Sequence, residues 1–179
     1  MAIVYLIGYR ATGKTTIGKM LAERLGYRFF DLDTCLCQRQ GQSVAEIVAG
    51  GGWETFRDLE QQILRDITDE AGKDAVIATG GGIILAEENR RFMREHGLVI
   101  WLTAPPKVLE QRLRADPAGE YRPSLTGEDM IDEIAAVLFE RLPLYAACAH
   151  HRMDTVACRE DVCAALAARV QSGIPGEDV

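Results

Sequence analysis

The chain has 179 residues, of which 47% are hydrophobic and 26% charged, a composition that fits one globular domain with a sizeable core. Its 20 basic and 27 acidic residues give a formal net charge of −7, which argues against broad binding to nucleic acid or to an anionic membrane. We therefore expect any bound anion to be held by a local cluster of basic side chains.

The first residues form an apolar stretch that runs straight into a glycine-rich loop, without the basic start or cleavage site of a signal peptide. No apolar segment of the sequence approaches the length needed to span a bilayer. We expect a cytoplasmic protein that has neither a nucleic-acid nor a membrane partner.

Short apolar segments alternate with helical patterns along the chain, which is typical of an α/β fold with helices on both faces of a parallel sheet. We predict three α-β-α layers in a single domain over 1–171. Strands are predicted at 2–7, 27–32, 75–78 and 98–102, with a weaker one at 152–157. Helices are predicted after residue 14, at 56–67, at 87–95, from about 105, at 131–142 and at 162–170.

Three stretches depart from this alternation. Residues 42–52 are small and polar, which fits a mobile flap over a site, and end in three glycines that break the following helix. Residues 114–127 are rich in Pro, Gly and charge and predict a lid or a disordered loop; a capping-box signature at 126–129 then starts the next helix. The tail, 172–179, is expected to fray.

Five cysteines in a chain without a secretory signal argue against a disulfide framework. Cys35 and Cys37 could be combined on paper with Cys148, His150 and His151 into a zinc site. The spacing matches no zinc finger or ribbon, so we favour reduced core thiols.

The strongest chemical signal is the stretch GYRATGKT at 8–15, which fits the P-loop pattern GxxxxGK[ST] with a strand before it and an amphipathic helix after it. In such a loop the backbone N–H groups cradle phosphate oxygens, Lys14 reaches the β and γ phosphates, and Thr15 offers its hydroxyl to Mg²⁺. The alternative is a glycine-rich turn with a structural role only.

Two carboxylates, Asp31 and Asp33, follow the second strand. On an extended chain both would face the same side, so that one could hold a hydrated metal while the other takes or orients a hydroxyl proton. The alternative is a solvated strand end followed by an aspartate that caps a helix.

Basic side chains provide an anion pocket in this interpretation. Arg57 and Glu60 stand at i, i+3 on a helix, so the carboxylate can fix the guanidinium for a carboxylate or phosphate ligand. Arg141 and Arg122 are further candidates. As an isolated pair, Arg57 and Glu60 would more often be a surface contact worth a few tenths of a kcal/mol.

Three consecutive glycines, Gly80, Gly81 and Gly82, follow the third strand. They cost more backbone entropy than a turn requires, which suggests that something approaches the backbone closely. A flexible turn is the alternative.

Six motifs, GYRATGKTT, DLD, FRDLE, ATGGG, RPSL and RLPLY, stand in an order and at separations that resemble the shikimate kinase family, from Ile3 to about Val170. The resemblance implies a P-loop fold like that of nucleoside monophosphate kinases, with a five-stranded parallel sheet and a mobile lid at about 114–127. It also implies transfer of the ATP γ-phosphoryl group to the 3-hydroxyl of shikimate.

The resemblance also implies roles for individual residues. A helical segment at about 33–62 would bind shikimate; Asp33 would contact the accepting hydroxyl, and Asp31 with Thr15 would hold Mg²⁺. Arg57 and Arg141 would bind the shikimate carboxylate, beside a backbone wall of Gly80, Gly81 and Gly82. Lys14 and Arg122 would bind the transferring phosphoryl group. The residues implied to bind ATP are Gly8, Ala11, Thr12, Gly13, Lys14, Thr15, Thr16 and Arg112.

Two features depart from the family pattern. Ala11 stands where the family usually has glycine, which would strain the loop if φ there is positive. The loop around Cys158 and Arg159 lacks an expected proline, so adenine contacts are poorly marked.

The rival functions are a P-loop kinase of another hydroxy acid such as gluconate, and a non-catalytic nucleotide-binding module. A monomer without an obligate protein partner is expected in each case.

Overall fold

The computed structural model describes residues 3–115 and 130–172. Most of the predicted lid, including Arg122, and nearly all of the predicted tail lie outside these ranges and stay predictions. The strands are β1 (Ile3–Ile7), β2 (Arg28–Asp31), β3 (Ala75–Ala78), β4 (Gly97–Thr103) and β5 (His151–Asp154). The helices are α1 (Lys14–Leu25), α2 (Leu32–Gln40), α3 (Val44–Ala71), α4 (Glu87–His96), α5 (Pro106–Arg114), α6 (Met130–Cys148) and α7 (Arg159–Ser172), with a 3₁₀ turn at Ile83–Leu85.

All five strands pair in parallel, in the order β2-β3-β1-β4-β5. Successive side chains of β1 pack into different cores: Tyr5 joins the core under α3, α4 and α6, whereas Val4 and Leu6 join the core under α1 and α7. Because both faces are covered, the strand is apolar at every position. The α/β prediction of a five-stranded parallel sheet between helices is confirmed.

The sheet gathers the predicted site at one edge. In the pairing register Leu6 lies opposite Ala78, and Ala78 lies opposite Asp31. The loops that follow β1, β2 and β3 therefore leave the sheet side by side, which is where open α/β sheets bind ligands.

The end of β2 differs from the sequence prediction. The strand stops at Asp31 and α2 starts at Leu32, with the Asp31 side chain accepting a hydrogen bond from the Thr34 N–H at 3.1 Å. The extended geometry expected for Asp31 and Asp33 is wrong, because Asp31 caps the helix and Asp33 lies in its first turn. The alternative of a capping aspartate is correct for Asp31.

The small polar stretch at 42–52 is helical from Val44 rather than irregular. Ser43 and Glu46 form a reciprocal capping box, which outweighs the glycines that follow. The helix break is confirmed at Gly52, where φ 76° and ψ 176° separate two helical segments of α3. The second segment, after this kink, carries Arg57.

All five cysteines are free thiols, and the described residues contain no group of three or more His, Cys, Asp or Glu able to hold a metal ion. Of the three cysteines considered for zinc, Cys148 is buried as expected for a core thiol, whereas Cys35 and Cys37 are half-buried. None of the helices in the described ranges has the length and apolar character required to cross a membrane.

Candidate active site

The P-loop connects β1 to α1 and folds back on itself. Its backbone has positive φ at Gly8 (140°), Ala11 (62°) and Gly13 (94°), and α1 starts directly afterwards at Lys14. The Lys14 Nζ donates to the carbonyl oxygens of Gly8 and Tyr9 at 2.8 Å each. A cation and the positive end of a helix thus lie beside one another, an arrangement that favours phosphate.

Ala11 meets the condition under which it would be strained. Its left-handed φ is unfavourable for any residue that has a Cβ, yet the loop is fixed on both sides. Thr12 donates from its N–H and Oγ1 to the Tyr9 carbonyl oxygen at 3.3 and 2.8 Å, and Arg112 donates to the Ala11 carbonyl oxygen at 3.2 Å.

Thr15 in α1 and Asp31 at the end of β2 lie together, although β3 separates β1, the strand before α1, from β2 in the sheet. The Thr15 hydroxyl donates to Asp31 Oδ2 at 2.6 Å. A hydroxyl and a carboxylate beside a phosphate-binding loop are the oxygen ligands that Mg²⁺ takes together with substrate phosphates. The residues present therefore fit a magnesium ion.

A large pocket of about 1540 Å³ surrounds the P-loop. Arg112 borders it and donates to Thr155 Oγ1 at 3.1 Å and to the Thr155 carbonyl oxygen at 2.5 Å. Burial, and then the charge of nearby Arg159, lower the pKa of Arg112. Arg112 thus joins the P-loop to the loop after β5 at the rim of the pocket. The described lining residues are Arg10, Ala11, Thr12, Gly13, Lys14, Thr15, Thr16, Ile17, Asp31, Asp33, Thr79, Arg112, Leu113, Ala115, Thr155 and Arg159.

A second pocket, of about 520 Å³, lies next to the first and contains the predicted anion-binding residues. The sequence analysis did not predict the apolar walls of this pocket. Trp53 could have been found, because it stands four residues before Arg57 on a helix and therefore lies on the same face. The described lining residues are Tyr9, Arg10, Asp33, Val44, Trp53, Phe56, Arg57, Glu60, Gly80, Gly81, Gly82 and Arg141.

Arg57 is held from three sides. It forms an ion pair with Glu60, and its guanidinium lies over the rings of Trp53 at 5.4 Å and Phe56 at 5.1 Å. The Glu60 side chain is only 2% exposed, and burial raises its pKa to about 7 against the opposing effect of Arg57. The geometry expected from the i, i+3 spacing is present, and the pair is not a surface contact.

The three glycines differ in what an added side chain would meet. A Cβ at Gly80 would overlap Glu60 Oε1, and a Cβ at Gly82 would overlap the Arg57 guanidinium. A Cβ at Gly81 would meet nothing closer than the Arg10 backbone nitrogen, at 3.4 Å. The expectation that each glycine leaves room for a ligand needs correction, because Gly80 and Gly82 leave room for the protein's own ion pair.

Gly81 contributes its carbonyl group instead. The carbonyl oxygen accepts hydrogen bonds from the Tyr145 hydroxyl at 2.5 Å and from Arg141 Nη1 at 3.3 Å. Tyr145 is fully buried, so the glycine turn fixes Arg141 at the pocket wall. Arg57 and Arg141 thereby line one pocket from α3 and α6.

A P-loop between a strand and a helix, with a hydroxyl and a carboxylate beside it and an adjoining arginine-lined pocket, is the arrangement of a P-loop kinase that acts on a small acidic molecule. The family model for shikimate kinase matches residues 10–171, and the chain belongs to the shikimate kinase family.

Individual relatives agree with this assignment. A shikimate kinase 2 from Yersinia enterocolitica is 48% identical over 159 residues, which cover 89% of this chain and 90% of that protein. A shikimate kinase from Nitratidesulfovibrio vulgaris is 48% identical over 168 residues, with 92% and 95% covered. The crystal structure of shikimate kinase from Acinetobacter baumannii in complex with shikimate is similar at a TM-score of 0.89 and 32% identity, and 97% of this chain and 94% of that chain are covered.

We predict that Ala11→Gly stabilises the protein. Glycine removes roughly 1–2 kcal/mol of left-handed strain and adds about 0.5–1 kcal/mol of backbone entropy cost, so the free energy of unfolding should rise by about 0.5–1 kcal/mol. Chemical denaturation measures this change. The matched control is Ala165→Gly on the exposed face of α7, which should lose about 1 kcal/mol; a loss at both positions would contradict the strain at Ala11.

We predict that the stability of Glu60→Gln relative to wild type changes with pH, whereas that of a second Glu→Gln variant stays constant over the same range. The folded-state pKa of Glu60 is raised from 4.5 to about 7, so the folded protein binds more protons than the unfolded chain between these values. The Glu60 contribution to stability therefore falls as pH rises through this window, and the Gln variant gains relative to wild type as pH rises from 4.5 to about 7.

The control is Glu46→Gln. Hydrogen bonds from Ser43 lower the pKa of Glu46, so its contribution is complete above the unfolded value and is lost only as pH falls further. Denaturation of the three proteins across the same pH range should give a sloping difference for Glu60→Gln and a flat one for Glu46→Gln. A flat difference for both would contradict the burial effect.

Proposed function

We propose that this chain transfers the γ-phosphoryl group of ATP to the 3-hydroxyl of shikimate, giving shikimate 3-phosphate and ADP. The observation that carries the proposal is the pair of adjoining pockets, one built on the P-loop and the other lined by Arg57 and Arg141. Membership of the shikimate kinase family supports this acceptor.

On the acceptor side, two guanidinium groups would bind the carboxylate of shikimate. Arg57 is already oriented by Glu60 and by two aromatic rings, so little side-chain entropy is lost when it binds the substrate. Arg141 is oriented by the Gly81 carbonyl oxygen. Two fixed forks on one carboxylate would set the ring orientation, which is most of what phosphoryl transfer asks of an enzyme.

Asp33 would contact the accepting hydroxyl, because its carboxylate lines both pockets. The hydroxyl oxygen forms a bond to the γ-phosphorus while the bond from that phosphorus to the bridging oxygen of ADP breaks. The hydroxyl proton leaves by way of Asp33, which takes or orients it.

On the donor side, Lys14 and the N–H groups at the start of α1 would bind the phosphates. Thr15 and Asp31 would hold Mg²⁺, which when bound neutralises phosphate charge. Arg112 would lie against the adenine, and Arg122, outside the described residues, would add positive charge from the lid. We further propose a monomer in the cytoplasm.

The rival functions make different demands on the pockets. A non-catalytic nucleotide module has no use for a carboxylate that lines both pockets, as Asp33 does. A gluconate kinase would accept a flexible open-chain acid, whereas Arg57 in the acceptor pocket here is fixed by the buried Glu60 carboxylate and by two aromatic rings. Both observations favour a kinase of a rigid carboxylate.

An assay of ADP release with shikimate, gluconate and other hydroxy acids tests the function. We expect release that depends on shikimate, and a fall in kcat of at least about 100-fold in Asp33→Asn, while ATP binding and the melting temperature are retained. ADP release with gluconate alone, or with no acid, would contradict the proposal. Normal turnover in Asp33→Asn would remove this residue from the reaction.

We predict that Gly82→Ala weakens shikimate binding more than Gly81→Ala does. The new Cβ at Gly82 overlaps the end of a flexible side chain, so the fold adjusts while Arg57 is displaced. Loss of a charge-assisted hydrogen bond should raise the KM for shikimate at least about tenfold.

Gly81→Ala serves as the matched control. Its Cβ meets only an ordinary contact, so the KM for shikimate should change by less than about threefold. Steady-state kinetics at saturating ATP, with melting temperatures measured in parallel, separate the two variants. An equal rise of the KM for shikimate in both variants would show that the pocket depends on close approach of the ligand to Gly81 instead.

A further inference from the structure

We propose that Arg10 binds the phosphoryl group itself, both before and after its transfer, so that it recognises ATP and shikimate 3-phosphate but neither ADP nor shikimate. The proposal rests on the proposed function and identifies a residue within it. Arg10 occupies a variable position of the P-loop pattern, and for that reason the motif alone does not point to it.

The first observation is the position of Arg10 between the pockets. Among the described residues, the nucleotide and acceptor pockets share two lining residues, Asp33 and Arg10. The transferred group has to cross this boundary, because it starts in one pocket and ends in the other. One carboxylate and one guanidinium therefore border the path, and they have opposite charges.

The second observation is the way Arg10 is anchored. Its Nε is buried, and its guanidinium packs over the ring of Tyr9, 5.6 Å from the ring centroid. The Arg10 backbone nitrogen also lies against Gly81, where a Cβ would come within 3.4 Å of it. Both the backbone and the head group of Arg10 are thus fixed at the wall that the pockets share.

The third observation is the division of charge among the other cations. Lys14, Arg112 and Arg159 line only the nucleotide pocket, whereas Arg57 and Arg141 line only the acceptor pocket. Once the phosphoryl group has moved, the nucleotide-side groups face ADP and the acceptor-side arginines face the carboxylate. Arg10 is the described cation that can contact the moving group at both ends of its path.

A planar guanidinium suits this role. It can form two parallel hydrogen bonds to phosphoryl oxygens, and charge on those oxygens is spread over the transferring group in the transition state. Asp33 would act on the hydroxyl while Arg10 holds the phosphoryl oxygens, so that the two charges at the boundary align the reacting groups.

The test uses two pairs of ligands that differ only by the phosphoryl group: ATP with ADP, and shikimate 3-phosphate with shikimate. In Arg10→Met we expect the Kd of shikimate 3-phosphate to rise about tenfold or more, while the Kd of shikimate changes by less than about twofold. The Kd of ATP should rise more than that of ADP, and kcat should fall about 100-fold. Arg10→Lys, which keeps the charge but loses the fork, should recover part of kcat.

The matched control is Arg152→Met. Arg152 is also an arginine over an aromatic ring, 5.1 Å from the centroid of Trp101, but it lines neither pocket. Its loss should leave all four Kd values and kcat unchanged within about twofold. The control therefore accounts for removal of one positive charge and one ring contact.

The outcomes separate the two proposals. If the wild-type protein does not phosphorylate shikimate, the proposed function fails. If the wild type is active and Arg10→Met changes both members of each pair equally, or neither, Arg10 does not recognise the phosphoryl group and the proposed function still stands. If Arg10→Met does not fold, Arg10→Lys and Arg10→Gln are measured against the same four ligands, and equal changes within each pair overturn the proposal in the same way.

Discussion

The ion pair between Arg57 and Glu60 is the constraint on which the acceptor pocket depends. A buried carboxylate is costly unless it is paired and hydrogen-bonded, and the raised pKa of Glu60 reflects that cost. The pair nevertheless fixes a guanidinium for an anionic ligand. The ion pair fits because Gly80 and Gly82 have no Cβ that would overlap it. The turn after β3 and the second segment of α3 therefore constrain each other.

Both pockets of this acidic chain are lined by basic side chains. Its formal net charge of −7 provides no general attraction for anions, so affinity has to come from short-range contacts in the two pockets. Each pocket has cations of its own, and the boundary carries one charge of each sign. This arrangement would let two anionic substrates bind side by side, each against the cations of its own pocket.

Local and periodic features of the site could be predicted from the sequence, whereas features set by long-range contacts could not. The apolar strands, the P-loop motif and the spacing of Arg57 and Glu60 can be recognised from neighbouring residues alone. The helix that starts directly after Asp31 depends on a local competition between strand and cap, which apolar patterning does not resolve. The different requirements at Gly80 and Gly81 arise from contacts with α3 and the P-loop, so no local pattern distinguishes them.

Ala11 shows how a fold can keep a residue in an unfavourable conformation. Left-handed strain of roughly 1–2 kcal/mol persists only where the surroundings determine the backbone independently. Here a bond from Arg112 holds the Ala11 carbonyl group, and two bonds from Thr12 close the preceding turn. Arg112 also binds Thr155 after β5, so the loop is fixed against an adjacent part of the sheet. The conformation of the P-loop is thus held by hydrogen bonds within the loop and by one long-range bond from Arg112, and this explains why alanine can occupy a position that favours glycine.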